Sequence, residues 1–350
     1  MPRGARRTPH EMKNPACTVV YASDDRGVNP LGVAIHSLLS HASNTTTYRV
    51  YVLSNGISGD NTDRLSKIAQ GTLARHRIVF IDVSELATRC ALPVKERWPV
   101  TAWTRVFIPD LLPQDERLVL YCDIDTLVCR DLEELFRTPL HGKAIGAVLE
   151  HLSSQSSHFN ERLGMPPDCP GYFNSGVMLL DLDVFREQGL VEKILRYARE
   201  YSDRLTCPDQ DALNGTLCLN LQPIHHKWNW HDGLTRLMLK RSTRSSMSRG
   251  ATLEDSVEAA FHPGILHYQG PNKPWQYNYR IERKRYEQAM IESGFGEYPL
   301  PGKTIGKAVK YITYLPIYWL TWKKIRKLDL HFRTSRQLAE ARGTVQGRIK

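Results

Sequence analysis

Two acids and a distant imidazole are the residues best placed to do chemistry in this chain. In Leu118-Val-Leu-Tyr-Cys-Asp-Ile-Asp-Thr-Leu-Val128 a strand-forming apolar run leads into Asp123-Ile124-Asp125. Side chains two apart on an extended chain point the same way, so the spacing directs both carboxylates to one side. Neighbouring carboxylates resist joint ionisation unless a cation sits between them. A hard divalent ion, Mn²⁺ or Mg²⁺, that also binds a diphosphate meets that need. The alternative is a strand-end turn in which Asp125 caps the next segment. Much later, His267, Gly270 and Lys273 stand as His-x-x-Gly-x-x-Lys before Pro274-Trp275. A neutral imidazole suits Mn²⁺ as a third ligand. Gly270 admits close backbone approach to a phosphate, and Lys273 offers it a compact positive charge. Between them lie Asn174-Ser-Gly176 and Asp209-Gln-Asp211. Taken singly, Asn174-Ser-Gly reads equally as a turn and Asp209-Gln-Asp as a helix cap. Arg105 reads equally as the ion-pair partner of an acid such as Asp123.

The elements that must position these groups follow a regular pattern. Cys17 to Ser23 reads as a buried strand ending at Asp24-Asp25, and 30–41 as a helix with Pro30 near its start. Tyr48 to Leu53 is a second strand, 60–76 an amphipathic helix and Arg77 to Ile81 a third strand. This alternation predicts a parallel α/β sheet. Ligands in such sheets sit beyond the carboxyl ends of the strands, where Asp24-Asp25 and the acid pair both fall. Residues 84–97 read as irregular, and Thr101–Ile108 as a short helix closed by Pro109 and Pro113. Asp131–Leu140 reads as a short helical connection, Lys143–Glu150 as a strand ending in an acid, and 151–170 as a loop over the site. Gly171–Asp181 is a turn becoming a strand, Leu190–Tyr201 a helix, and Cys207–Asn214 a helix start with Pro and acids in its first turn. Cys218–Ile224 is a strand, Lys227–Trp230 a loop, 235–255 a mobile Ser/Arg-rich stretch, and Gly264–Trp275 a short strand entering a Gly/Pro loop. No internal repeat is present.

The formal net charge of +10 over 350 residues is unevenly placed. Residues 1–13 carry a net +3 and residues 301–350 a net +10, which leaves 14–300 at −3. The mildly acidic body argues against nucleic acid, and the basic end suits an anionic membrane surface. Between Lys303 and Leu328, basic and apolar-aromatic residues alternate, with Ile305, Ala308, Val309 and Ile312 at helical spacing. That pattern predicts a helix lying in the plane of a membrane interface. The alternative is a helix packed on the body with a solvated basic face. Seven cysteines at scattered positions predict buried reduced thiols and a cytoplasmic protein. No secretory h-region follows the basic N-terminus, and no apolar run is long enough to span a bilayer. The expected division is a disordered 1–15, a catalytic domain over 16–280, and a basic amphipathic membrane-association region over 281–350.

In combination the motifs resemble the family-8 retaining glycosyltransferases, above all the bacterial lipopolysaccharide galactosyl- and glucosyltransferases. The resemblance rests on Tyr21-Ala-Ser-Asp-Asp25, Ala102-Trp-Thr-Arg105, Leu120-Tyr-Cys-Asp-Ile-Asp-Thr126, Tyr172-Phe-Asn-Ser-Gly-Val177, Asp209-Gln-Asp-Ala-Leu-Asn214 and His267 to Trp275. It covers roughly residues 16–280. It implies a single Rossmann-like nucleotide-diphospho-sugar domain of the glycosyltransferase A type, with a mixed central sheet and the basic helical tail appended. It implies a UDP-hexose donor with Mn²⁺ (or Mg²⁺) and a saccharide or lipid-linked saccharide acceptor, such as a lipopolysaccharide core. Asp123, Asp125 and His267 would hold the metal. Asp24 would contact uracil or ribose, and Gly270 and Lys273 the phosphates. Arg105, Asn174, Gly176 and Asp209 would line the donor sugar, with Gln210 near the anomeric carbon opposite the leaving group. Two positions depart from the family. Arg26 stands where Asn is common, and Glu150 replaces a common Asp, though the longer acid still reaches a sugar hydroxyl.

The mechanism so implied has the metal act as Lewis acid on departing UDP, with Lys273 and backbone amides assisting. An oxocarbenium-like transition state follows. Gln210 is a poor nucleophile, so same-face attack is favoured, with the leaving phosphate accepting the acceptor's proton. Two rival readings remain from the residues: a haloacid-dehalogenase-type phosphatase, which also places Asp-x-Asp after a strand, and a non-catalytic sugar-nucleotide binder.

Overall fold

Val, Tyr, Ile and Leu dominate the runs that form the sheet, and burial on both faces explains why they are nearly continuous. The structure, a computed structural model, describes residues 16–71, 75–86, 100–150, 156–231, 252–277 and 282–346. The strands are β1 (Cys17–Asp24), β2 (Tyr48–Asn55), β3 (Arg77–Asp82), β4 (Leu118–Cys122), β5 (Thr126–Val128), β6 (Ile145–Leu149), β7 (Phe173–Asp181), β8 (Leu221–Pro223) and β9 (Ile265–His267). Seven of them form one sheet in the order β3-β2-β1-β4-β7-β6-β8. Strands β3, β2, β1 and β4 run parallel, while β7 is antiparallel to both β4 and β6. The sheet is therefore mixed, as the resemblance implies, and the purely parallel pattern of the first three strands stops at β7.

Strand β1 displays the two-sided burial directly. Val19 and Tyr21 face one core with Leu31, Ile35 and Leu38 of the helix Val28–Ser40. Val20 and Ala22 face the other, with Trp103, Phe173 and Leu213. The antiparallel pair β5–β9 stands apart from the main sheet and sets Thr126 opposite His267.

Several local expectations are corrected. Strand β4 stops at Cys122, so Asp123 and Asp125 lie in a turn, not in extended chain. The Thr126 amide and hydroxyl both donate to the Asp123 carbonyl, at 3.2 and 2.7 Å, and close that turn. Pro109 opens the helix Ile108–Leu111 instead of closing the one before it, because proline fits a first helical turn. Residues 156–163, expected as loop, form a helix whose Phe159 stacks on Tyr172 at 4.2 Å. A capping box at Thr252 and Asp255 starts an unanticipated helix, Leu253–Phe261. Cys169 and Cys218 are joined in a disulfide, which corrects the expectation of reduced thiols throughout. Both are buried, and the bond ties the segment before β7 to the end of the helix Pro208–Leu217. The expectations for 1–15, and parts of those for 60–76, 84–97, 151–170 and 235–255, lie outside the described residues.

Asp211 anchors that helix. It is fully buried and accepts from Arg162 Nη1 and Nη2 (2.8 and 3.0 Å), Tyr172 Oη (2.7 Å) and the amides of Thr206 and Cys207 (2.7 and 2.9 Å). Burial opposes its charge, but Arg162, Tyr172 and the two amides outweigh it and hold the carboxyl below its usual range. A depressed folded-state pKa stabilises the fold above the unfolded value of about 3.9, and this contribution fades as pH falls through the folded value. Asp211→Ala takes the carboxylate from the Arg162 guanidinium and the acceptor from the Tyr172 hydroxyl and the Thr206 and Cys207 amides, and is expected to cost about 3–5 kcal/mol. Urea unfolding near neutral pH measures this, and the variant's stability should vary less than the parent's below about pH 4.

Candidate active site

The turn after β4 and the strand β9 bring the three predicted ligands together. Carboxylate oxygens of Asp123 and Asp125 and an imidazole nitrogen of His267 all lie within 4.8 Å of one another. His267 Nε2 is 3.2 Å from Asp125 Oδ1 and 3.8 Å from Asp123 Oδ2. Backbone pairing on two sides holds this arrangement. The Tyr268 amide donates to the Asp125 carbonyl at 2.8 Å, and the His267 amide to the Trp230 carbonyl at 2.8 Å. Asp123 is tied to β7, its amide donating to the Gly176 carbonyl at 2.8 Å.

Gly176 is part of the site by virtue of what it lacks. A Cβ there would come within 2.3 Å of His267 Cε1, 2.7 Å of Asp123 Oδ2 and 2.9 Å of His267 Nε2. Two carboxylates, one imidazole and a side-chain-free wall form a donor set that fits Mn²⁺ or Mg²⁺. Lys273 pairs with Asp125, and Gly270 in the loop before it takes φ +84°, a conformation that favours glycine. Burial opposes the charge on Asp125, yet His267 and Lys273 outweigh it and keep the carboxyl well below its usual range.

A second charged group adjoins the first. Arg105, buried and lying over the Tyr121 ring, pairs with Asp123 at 2.9 Å and with Asp209 at 3.3 Å. It also donates to the Ser175 carbonyl at 2.9 Å. Burial works against its charge, and the acids around it, Asp123 foremost, more than compensate. Asp209 takes the opposite course: burial pushes its carboxyl up to about 6, with Arg105 only partly offsetting. Gln210 faces inward. Its Oε1 accepts from the Ser175 amide at 2.9 Å, and its Nε2 donates to Tyr172 Oη at 3.1 Å. Asn174 donates to Glu150 Oε1 at 2.8 Å, while burial raises the Glu150 carboxyl and Asn174 counters.

Asp24 occupies the neighbouring rim. It caps the turn Asp25–Gly27 through the Gly27 amide at 3.1 Å and pairs with Arg26 at 2.7 Å. That turn lies against Ile124, between the two acids: a Cβ on Gly27 would meet Ile124 Cδ1 at 2.8 Å. The sequence reading passed over Ser175, Gln269 and Asn229. Asn229 contacts His267 directly (Oδ1 to Nδ1, 2.9 Å), but nothing in Lys227-Trp-Asn-Trp230 marks it beyond a buried amide between two tryptophans.

Comparison with known proteins now decides the family. The model of "Glycosyl transferase family 8" matches residues 18–279. The chain belongs to this family. General stress protein A of Bacillus subtilis is 30% identical over 277 residues, covering 77% of this chain and 92% of that protein. Lipopolysaccharide 1,2-glucosyltransferase of Escherichia coli is 26% identical, covering 73% and 72%. Among solved structures, the galactosyltransferase LgtC in complex with donor and acceptor sugar analogues shares the fold, with a TM-score of 0.67 at 24% identity over 79% of this chain and 95% of that one. Membership of family 8 sets aside the phosphatase reading of the Asp-x-Asp pair.

Gly176→Ala tests the metal site with a single methyl group. It is expected to lower Mn²⁺ affinity about tenfold or more, read from the free-ion EPR signal, with the far-UV circular dichroism unchanged.

Proposed function

We propose that this family-8 enzyme is a metal-dependent retaining hexosyltransferase. It transfers galactose or glucose from a UDP-sugar to a saccharide acceptor, of the lipid-linked lipopolysaccharide-core kind. The observation that carries the reading is the convergence of Asp123, Asp125 and His267 on one point beside the Arg105–Asp209 pair. The names of the E. coli glucosyltransferase and of LgtC support a hexose without choosing between the two sugars.

Asp123, Asp125 and His267 would hold a divalent cation, which would supply Lewis-acid stabilisation to the departing diphosphate. Lys273 then leaves Asp125 for a phosphate oxygen, adding fixed positive charge where negative charge develops. Gly270 lets the backbone of this loop approach the phosphates. Asp24, with its turn against Ile124, faces the uridine side. Arg105, Asn174, Asp209 and Glu150 hold the hexose hydroxyls, and Gly176 leaves room beside it. Buried Asp211 has its oxygens engaged by Arg162, Tyr172 and backbone amides, which argues against its acting as a nucleophile. Gln210 presents an amide already fixed by Ser175. Both facts support single-step retention. The acceptor hydroxyl oxygen bonds to the anomeric carbon as its bond to the diphosphate breaks, and the hydroxyl proton passes to the leaving phosphate oxygen.

The C-terminal helix Ile305–Gln346 supports the membrane part of the reading. No described helix is long and apolar enough to cross a membrane. Ile325 is buried on the body and Trp322 packs on Phe261 at 5.0 Å, so the helix is docked there. Ahead of that contact Ile305, Val309, Ile312, Leu315 and Trp319 form an exposed apolar stripe at helical spacing. Lysines at 303, 307, 310, 323 and 324 flank it and would each add about 1 kcal/mol on an anionic surface. We place the enzyme on the cytoplasmic leaflet, whose negative potential suits the lysines that flank this stripe. The Cys169–Cys218 bond removes the reduced-thiol argument for that side, so the placement rests on the helix.

Mn²⁺-dependent hydrolysis of a UDP-sugar panel separates enzyme from mere binder. Turnover is expected with UDP-galactose or UDP-glucose, and Asp125→Asn should abolish its metal-dependent part. A sugar ester trapped on Asp209 would overturn the single-step route. Activity should fall as pH drops below about 6, where Asp209 gains a proton and ceases to accept from a sugar hydroxyl. Asp209→Asn should remove that limb. On anionic vesicles at low salt, Ile312→Glu with Trp319→Glu should release the protein into the supernatant. If the parent protein ignores such vesicles, the membrane reading fails.

A further inference from the structure

We propose that Asn229 is a positioning residue that fixes which nitrogen of His267 carries the proton. It thereby keeps the Nε2 lone pair turned toward the cation shared with Asp123 and Asp125. The inference rests on the metal-site reading above.

The assignment runs from a group that has no choice. The Gly176 backbone N–H can only donate, and it lies 2.9 Å from Asn174 Oδ1. That sets the Asn174 amide, whose Nδ2 then donates to Glu150 Oε1 at 2.8 Å and Gln269 Oε1 at 2.9 Å. Asn174 Oδ1 accepts a second hydrogen bond, from Asn229 Nδ2 at 2.9 Å. Asn229 is only 2% exposed. Turning its amide over would set two carbonyl oxygens against each other in a buried position, which costs the hydrogen bond and adds repulsion. Its Oδ1 is therefore the atom that faces His267 Nδ1, at 2.9 Å. A carbonyl oxygen only accepts, so Nδ1 carries the hydrogen and Nε2 is left bare.

The opposite tautomer would aim an N–H at Asp125 Oδ1, 3.2 Å away, and would fill the direction a metal needs. Asn229 can enforce the choice because its backbone is held. It closes the turn His226–Asn229, and the next residue, Trp230, donates to Ile265 at 2.9 Å and accepts from His267 at 2.8 Å. A relay thus runs from the Gly176 amide through Asn174 and Asn229 to the imidazole. Outer-shell partners of this kind set ligand orientation and basicity.

¹⁵N NMR of the metal-free full chain at alkaline pH reads the tautomer directly. His267 is expected with Nδ1 protonated and Nε2 bare, and a dominant Nε2–H form overturns the proposal without any mutation. Asn229→Leu should shift His267 toward the Nε2–H form and weaken Mn²⁺ binding about 10–100-fold by EPR. Asn229→Asp keeps an acceptor on Nδ1, and its second oxygen, protonated in this buried position, donates to Asn174 Oδ1 in place of Nδ2, so it should return affinity close to the parent value. If the folded Asp variant binds as poorly as the Leu variant, the acceptor is not what matters and the proposal falls. His267→Ala separates the two levels. Loss of Mn²⁺ binding there, with Asn229→Leu unaffected, sinks this inference alone. Parent-like Mn²⁺ binding by His267→Ala sinks the metal reading itself.

Discussion

The pairing of β5 with β9 is the constraint on which the site depends. Each strand is three residues long, and together they set Thr126 opposite His267 across 141 positions of chain. So short a ribbon is marginal by itself. It is held because Leu127, Val128, Ile265 and Leu266 are buried in the core that also holds the helix Val28–Ser40. The Ser37 hydroxyl of that helix accepts the Val128 amide at 3.0 Å, and the Cys129 amide donates to the Gly264 carbonyl at 2.8 Å. A one-residue slip would turn His267 to the opposite face, away from the acids. Burial of four apolar side chains therefore fixes the register, and the register fixes the ligand geometry.

Around that ribbon the protein concentrates charge in a place where charge is costly. Asp123, Asp125 and Asp209 form one chain of ion pairs with Arg105, His267 and Lys273. Burial disfavours the ionised form of Asp125 and of Asp209, so their difference comes from their partners. Asp125 has both His267 and Lys273 and stays ionised. For Asp209 burial outweighs the shared guanidinium of Arg105 and the nearby backbone amides, and its carboxyl is driven up to about 6. On the function proposed above, two carboxylates with separated proton affinities suit separate tasks, one holding a cation and the other meeting the sugar. Arg105 links the tasks, since the same guanidinium bridges Asp123 and Asp209.

The contrast between what the chain announces and what it conceals follows from physical range. The first three strands and their helices are written in local periodicity, and each lies within a few residues of its expected place. The acid pair was legible too, although for a reason the structure revises: a turn closed by Thr126, not strand alternation, turns both side chains to His267. The antiparallel β7 was legible only through resemblance, since an apolar run carries no direction. The helix over residues 156–163 was missed because its support is distant, from Tyr172 and Asp211. Asn229 was invisible for a related reason. Its role is set by Asn174 and His267, 55 and 38 positions away, and an isolated Asn between tryptophans has no local signature.

The C-terminal helix and the segment that carries His267 and Lys273 share one support. Arg283 lies between the rings of Tyr277 and Tyr311, with centroid distances of 4.7 and 4.6 Å. Tyr277 ends the described stretch that carries His267, Gly270 and Lys273, and its amide donates to the Pro301 carbonyl at 2.8 Å. Tyr311 belongs to the helix bearing the apolar stripe. Such cation–π stacks contribute most when desolvated, and Arg283 is only 8% exposed. Deeper in the body Tyr286, from the helix that begins at Arg283, packs against both Tyr268 and Trp275. Aromatic packing thus accompanies the chain from Tyr268, next to His267, to Tyr311 of the C-terminal helix. The segment that carries His267 and Lys273 and the helix that carries the apolar stripe are both packed against the helix Arg283–Ser293.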